Sequence, residues 1–185
     1  MAKRFETLSD GLRDWIERQH IFFTATAAPS GRVNISPRPT TSFRVLGPNQ
    51  AAYLDRTGSG NETAAHIRQL NRITIMFCAV EGPPSILRLF GTAEVLSRGS
   101  AAYEDLLASA YGGEEPSGAR QIVRIDFDLV QTSCGYGVPL FDYQNERASL
   151  ENWSNAKSAE ELEAYQRLNN QTSLDGFPSG MFEDS

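Results

Sequence analysis

The sequence predicts a mainly β domain, a curved antiparallel sheet or barrel of six strands with small flanking helices. Three observations carry this. Short runs of alternating or continuously apolar, β-prone residues are separated by Gly, Pro and Asn turn signals. Helical spacing is confined to short segments at two crossings, so most strands must be joined by hairpins. The run Ile86 to Leu96 carries one glycine, Gly91, the mark of a bulge that curves a sheet. This order argues for a barrel-like sheet rather than a doubly wound α/β fold.

The elements follow in order. Leu8, Leu12, Trp15 and Ile16 have the spacing of one helix face, with Thr7 or Ser9 as cap. His20 to Ala28 is apolar and β-prone and ends at Pro29-Ser30-Gly31, and Arg32 to Arg38 alternates, so the pair reads as a hairpin. A short segment, Ser42 to Leu46, stops at Gly47-Pro48-Asn49, and Ala51 to Asp55 is the next strand. A helix from Asn61 to Leu70 buries Ala64 and Ile67. Arg72 to Val80 is nearly all apolar and reads as a central strand, with Cys78 as a small core residue. After Ile86 to Leu96 come a helix near Ala101 to Tyr111 and a cleanly alternating strand, Gln121 to Val130. The polar remainder holds one helix behind an S-x-x-E box at Ser158 and Glu161. It then reads either as an arm anchored by Trp153, Phe177 and Phe182 or as a loosely ordered tail.

Composition narrows the function classes. The chain has 185 residues, 40% hydrophobic and 22% charged, enough for one domain with a substantial core. No run approaches the roughly 18 apolar residues of a membrane helix, and the first residues lack a signal-peptide core, so a cytoplasmic protein is expected. A net charge of −6, with Lys3 and Lys157 as the two lysines, offers no basic stripe for nucleic acid. Cys78, Cys134, His20 and His66 have no zinc-ligand spacing.

The most informative stretch lies between the strand ending at Asp55 and the following helix. Gly58 and Gly60 permit positive φ and close approach of a ligand, Thr57, Ser59, Asn61 and Thr63 supply hydrogen bonds, and Arg56 supplies a cation. Such a turn suits a phosphate. Ser59 and Glu62 also fit an S-x-x-E capping box with nothing bound. His66, one turn further on, fits either a cofactor contact or a packing role.

Several segments in order resemble one family. Gly31, Asn34, Ser36 and Pro37 form a G-x-x-N-x-S-P segment in the hairpin; Tyr53-Leu54-Asp55 leads into the Gly/Ser/Thr turn; Ile73 to Phe77 and Arg88-Leu89-Phe90-Gly91 follow. Together with the runs EGPPSILRLFG and QTSCGYGVP, they resemble the pyridoxamine 5'-phosphate oxidase-like flavoproteins, the FMN-binding split β-barrels, over roughly His20 to Val130. The resemblance implies FMN at the interface of a homodimer. It carries Ser36, Pro37 and Arg38 onto the strand that lines the flavin ring and ribityl chain. It carries Asp55, Arg56, Thr57, Gly58, Ser59, Asn61, Glu62 and Thr63 onto the phosphate-side turn. Glu62 is the discordant member, because a carboxylate repels phosphate unless it is otherwise engaged. Residues 1–140 are then the flavin-binding domain, and 141–185 a helix and arm that pack on the barrel or on the partner subunit.

Departures from the family bear on activity. Vitamin B6 oxidases carry S-x-K before the helix, where Thr63 stands here, and an Arg-Leu-Ser-type C-terminal segment, for which Arg167-Leu168-Asn169 is the nearest counterpart. The other basic residues, Arg88, Arg120, Arg124 and Arg147, are scattered in sequence. Deazaflavin and haem branches are disfavoured by the acidic, lysine-poor chain and by the lack of a histidine arrangement. The resemblance thus implies an FMN-dependent oxidoreductase acting on an unknown small molecule, without an essential acid or base. A flavin-binding or storage protein without turnover and a true pyridoxamine or pyridoxine phosphate oxidase are the alternatives.

Overall fold

Strand residues that alternate between buried and half-exposed positions build one antiparallel sheet in the computed structural model, which describes residues 2–183. The chain runs β1 (Lys3–Phe5), α1 (Asp10–Glu17), β2 (Ile21–Ala27), β3 (Val33–Pro39), β4 (Phe43–Gly47), β5 (Gln50–Arg56), α2 (Glu62–Gln69), β6 (Arg72–Cys78), β7 (Ile86–Ser97), α3 (Ala101–Tyr111) and β8 (Ala119–Ser133). It ends in α4 (Ser149–Asn155) and α5 (Ala159–Asn169). The sheet has eight strands rather than six, in the order β3-β2-β6-β7-β8-β5-β4, with β1 added to β8. β1 escaped prediction because its three residues are all exposed and carry no burial period. Ser9 caps α1 by accepting from the Leu12 amide, and Ser158 and Glu161 form the expected capping box of α5.

The sheet curls into a barrel that stays open along one seam. Phe22 of β2 lies near one end of the strand order and Tyr53 of β5 near the other, yet their rings meet edge-on at 5.6 Å. Phe43 closes the same cluster against Phe22 at 5.1 Å and Phe77 at 5.2 Å. Such contacts between distant strands require closure, and Gly91 permits part of the bend. A Cβ there would collide with the backbone of Asp126 and Phe127, where the β7–β8 register shifts between Phe90 and Gly91. A second apolar cluster, with Leu54, Leu96, Tyr103, Leu107 and Ile122, packs under α3.

The outer face of β2, β3 and β6 is also apolar. Ala25 pairs with Ile35 and Ala27 with Val33, and Val33 and Ile35 are 69% and 66% exposed. Cys78 belongs to this half-exposed face, not to the core, because it falls in the outward phase of β6. Among the described residues, no helix is long and apolar enough to cross a membrane.

Candidate functional site

The seam of the barrel is where sequence-distant polar residues converge. β3 is an edge strand whose side chains alternate: Val33, Ile35, Pro37 and Pro39 face outward, while Asn34, Ser36 and Arg38 turn toward β5 and α2. The Asn34 amide nitrogen donates to the Thr63 hydroxyl at 3.1 Å and to Thr26 at 3.2 Å, and the Ser36 hydroxyl donates to Asn34 Oδ1 at 3.0 Å. Thr26 Oγ1 lies 3.2 Å from Nδ1 of His66, which is buried in α2 with Nε2 4.0 Å from the Glu62 carboxylate and without a hydrogen bond among the described residues. Arg38 reaches the Asp55 carboxylate, and its guanidinium lies 4.6 Å from the centre of the Tyr53 ring.

Asp55 is the centre of the site. It is fully buried, and its second oxygen accepts from Arg120 Nε and from Gln121 Nε2, each at 2.8 Å. Burial alone would raise its pKa, but Arg120 and then Arg38 outweigh that and hold the carboxyl below the usual aspartate range. Two consecutive residues of β8 can reach one carboxylate because the ladder slips there: Asp55 pairs with Gln121 but Arg56 with Ala119, so Arg120 is the bulged residue. Two guanidiniums and one carboxylate leave one net positive charge in a nearly water-free place, an arrangement that favours an anion. The Tyr53 hydroxyl nearby is buried without a hydrogen-bond partner among the described residues, and desolvation pushes its pKa up to about 12.

The turn between β5 and α2 differs from expectation in two ways. Neither Gly58 nor Gly60 adopts positive φ, because the chain passes from β5 to α2 without a left-handed residue. Space is what Gly58 leaves, since a Cβ there would meet only the Gly60 carbonyl at 3.9 Å, whereas one at Gly60 would stand 3.5 Å from Glu62 Oε1. Nor is there a capping box at Ser59, since α2 starts at Glu62 with Asn61 as N-cap and no capping side chain. The carboxylate of Glu62 instead accepts from the Leu174 amide at 2.9 Å.

The predicted residues therefore divide. Ser36 and Thr63 both bond Asn34, Arg38 and Asp55 form the ion pair beside them, and Thr24 lies 3.5 Å from both Arg38 Nε and the Ser36 carbonyl, with Pro37 on the outward side of the same strand. Thr57 and Asn61 are buried and turned inward: Thr57 donates to the Gly118 carbonyl at 2.9 Å, and Asn61 Oδ1 accepts from Gln121 at 2.9 Å. Ser59 is exposed on the turn. Arg56 donates from Nε to the Ser117 carbonyl at 3.0 Å, and its Nη2 is buried without a hydrogen-bond partner among the described residues. Arg120, read from sequence as one of several scattered bases, joins Arg38 on the Asp55 carboxylate. Only the bulge brings it there, and nothing in the run Ala119-Arg120-Gln121 marks this bulge as Gly91 marks the one in β7.

Residues 8–134 match the sequence profile of the pyridoxamine 5'-phosphate oxidase family. The chain belongs to that family. A fungal member, the pyridoxamine 5'-phosphate oxidase family protein ustO of Aspergillus flavus, is 41% identical over 190 residues, covering 94% of this chain and 76% of that protein. Among solved structures, a HupZ variant from Group A Streptococcus is similar with a TM-score of 0.55 at 24% identity, covering 68% of this chain and 98% of that one. A putative pyridoxamine 5'-phosphate oxidase from Lactobacillus delbrueckii is similar with a TM-score of 0.53 at 20% identity, covering 68% and 94%. At these identities the structural likeness carries the fold: the family's split barrel, here with eight strands and a seam edged by β3 and β4.

Proposed function

We propose that this family member is an FMN-binding flavoprotein, a cytoplasmic homodimer that acts as an FMN-dependent oxidoreductase on a small molecule. The observation that carries the reading is the Arg38–Asp55–Arg120 cluster, with its surplus positive charge beside a side-chain-uncapped helix start and a glycine-opened turn. The residues fit a phosphorylated flavin. Arg38 and Arg120 supply charge-assisted donors, Ser59, Thr63 and the first amides of α2 supply further hydrogen bonds, and Asn34, Ser36 and Pro37 line the strand along which a ring and its polyol chain would lie. Asp55, Thr57, Gly58 and Asn61 shape the turn from behind, Glu62 lies beside it on the Leu174 amide, and Arg56 buttresses it through Ser117. When bound, FMN supplies the hydride- or electron-accepting chemistry. The protein's own part is to hold the phosphate, orient the ring and keep water from one face.

The outward apolar face supports a homodimer, because Val33 and Ile35 lie on an uncovered edge strand beside the half-exposed Phe23 and Ala25. Purified protein is expected to be yellow and to release FMN on denaturation, identified by chromatography, and to scatter light as a dimer at micromolar concentration. Colourless protein that takes up no added FMN would sink the flavin reading, and a stable monomer would sink the dimer. A nicotinamide donor or dithionite is expected to bleach the bound flavin. Re-oxidation that depends on an added substrate separates an enzyme from a store.

A further inference from the structure

Beyond the residues matched by the family profile, the chain after Ala156 returns to the candidate site. Gln166 and Asn170 are one turn apart on the buried side of α5, whereas Glu163 and Arg167 face solvent. Gln166 Nε2 donates to the Thr57 hydroxyl at 2.7 Å. Asn170 Nδ2 donates to the Gly58 carbonyl at 3.0 Å, and its Oδ1 accepts from Arg120 Nη1 at 2.8 Å; the same guanidinium nitrogen donates to the Gly60 carbonyl at 2.8 Å. The chain then folds back in a turn closed by the Gly176 amide on the Ser173 carbonyl, and the next amide after Ser173, that of Leu174, holds Glu62. Asp175 anchors the fold-back to Arg32 at the tip of the β2–β3 hairpin.

These contacts solve the problem that Glu62 poses. A carboxylate at the first residue of α2 is the natural internal competitor for the amides a phosphate would take. Glu62 stays beside the turn, its Oε1 3.5 Å from where a Cβ on Gly60 would stand, but that oxygen is taken by the Leu174 amide and the other lies 4.0 Å from His66 Nε2, so the carboxylate is engaged away from the α2 amides, while Asn170 fixes Arg120 as a donor on the other side. We propose that this C-terminal arm is a specificity element for the phosphate group of the flavin, with Asn170 and the Leu174 amide as its positioning groups. The proposal rests on the flavin reading above and narrows it: the arm makes the site prefer FMN over riboflavin, which differs only by the phosphate.

The test uses the full chain. Leu174→Pro removes a single N–H at an exposed position, the second residue of a four-residue turn, where proline is well tolerated. Affinities for FMN and riboflavin are measured by flavin fluorescence quenching in wild type, Leu174→Pro, Leu174→Pro/Glu62→Gln and Asn170→Ala. Leu174→Pro is expected to weaken FMN about tenfold and leave riboflavin within twofold, and the added Glu62→Gln to restore FMN. Asn170→Ala is expected to lower the FMN-to-riboflavin preference at least tenfold. Equal losses for both flavins, or an unchanged preference in both variants, overturn the proposal even where FMN binds wild type. Failure of wild type to bind FMN instead removes the flavin reading, and the proposal falls with it.

Discussion

Asp55→Asn is expected to cost about 3 to 5 kcal/mol of folding stability, the scale for removing one partner of a buried ion pair. The loss is large because Asp55 is completely buried and is the shared partner of Arg38 and Arg120, and Arg120 is itself 5% exposed. With an amide in its place, two guanidiniums face each other with no counter-charge. The exposed Glu94–Arg124 pair is the fitting control, since Glu94→Gln should cost no more than about 1 kcal/mol. Thermal melts of both variants check this, with a fall of roughly 10 °C expected for Asp55→Asn and a shift near the noise for Glu94→Gln. Equal melting temperatures would mean that the cluster is not buried as described. The pH dependence has a definite sign. Because the folded pKa of Asp55 is depressed, its contribution is complete above the ordinary aspartate value near 4 and is lost as pH falls through the lower folded value. Wild type should therefore lose its advantage over Asp55→Asn only below about pH 4.

Arg38→Ala is expected to weaken FMN binding by roughly 1.5 to 3 kcal/mol, the range for losing a hydrogen bond to a charged group. Arg38 is the half-buried cation of the cluster, its side chain 16% exposed at the seam, whereas that of Arg120 is 4% exposed. It is thus the arginine best placed to meet an incoming anion. Its removal leaves Asp55 paired with Arg120, so the fold should tolerate the change better than Asp55→Asn. Arg56→Ala, which loses its bond to the Ser117 carbonyl, is expected to change FMN affinity less than threefold. Isothermal titration with FMN on both variants distinguishes the two arginines. A larger effect from Arg56 than from Arg38 would move the phosphate to the other side of β5.

Much of this architecture was legible in the sequence because local chemistry wrote it there. The turn at Pro29-Ser30-Gly31 makes the β2–β3 hairpin, the alternation of Asn34, Ser36 and Arg38 puts three polar side chains on one face, and Ser9 and Ser158 cap their helices. What stayed hidden depends on long-range register. Arg120 enters the site through a bulge, and the arm meets the turn through Gln166, Asn170 and the Leu174 amide and the hairpin tip through Asp175. A buried amide looks like any surface amide until its partner is known. Of the aromatics, Trp153 meets Tyr165 within the arm, and Phe182 lies under Arg167. α4 also went unread, since neither of its ends carries a side-chain cap signal.

β8 is the strand that joins the two parts of the sheet, paired with β1, β5 and β7 at once. Without it, β3-β2-β6-β7 can pair as one piece and β4-β5 as another, but nothing in the ladder joins them. A growing chain therefore carries two unjoined, apolar fragments until Ala119 to Ser133 has left the ribosome, and the core around Phe22 and Tyr53 forms only then. Synthesis, not only sequence, sets when this protein becomes safe from its neighbours. A fragment ending at Gly118 should show no cooperative melt and should bind a hydrophobic dye; a sharp transition in that fragment would show that the pieces find each other without their joint.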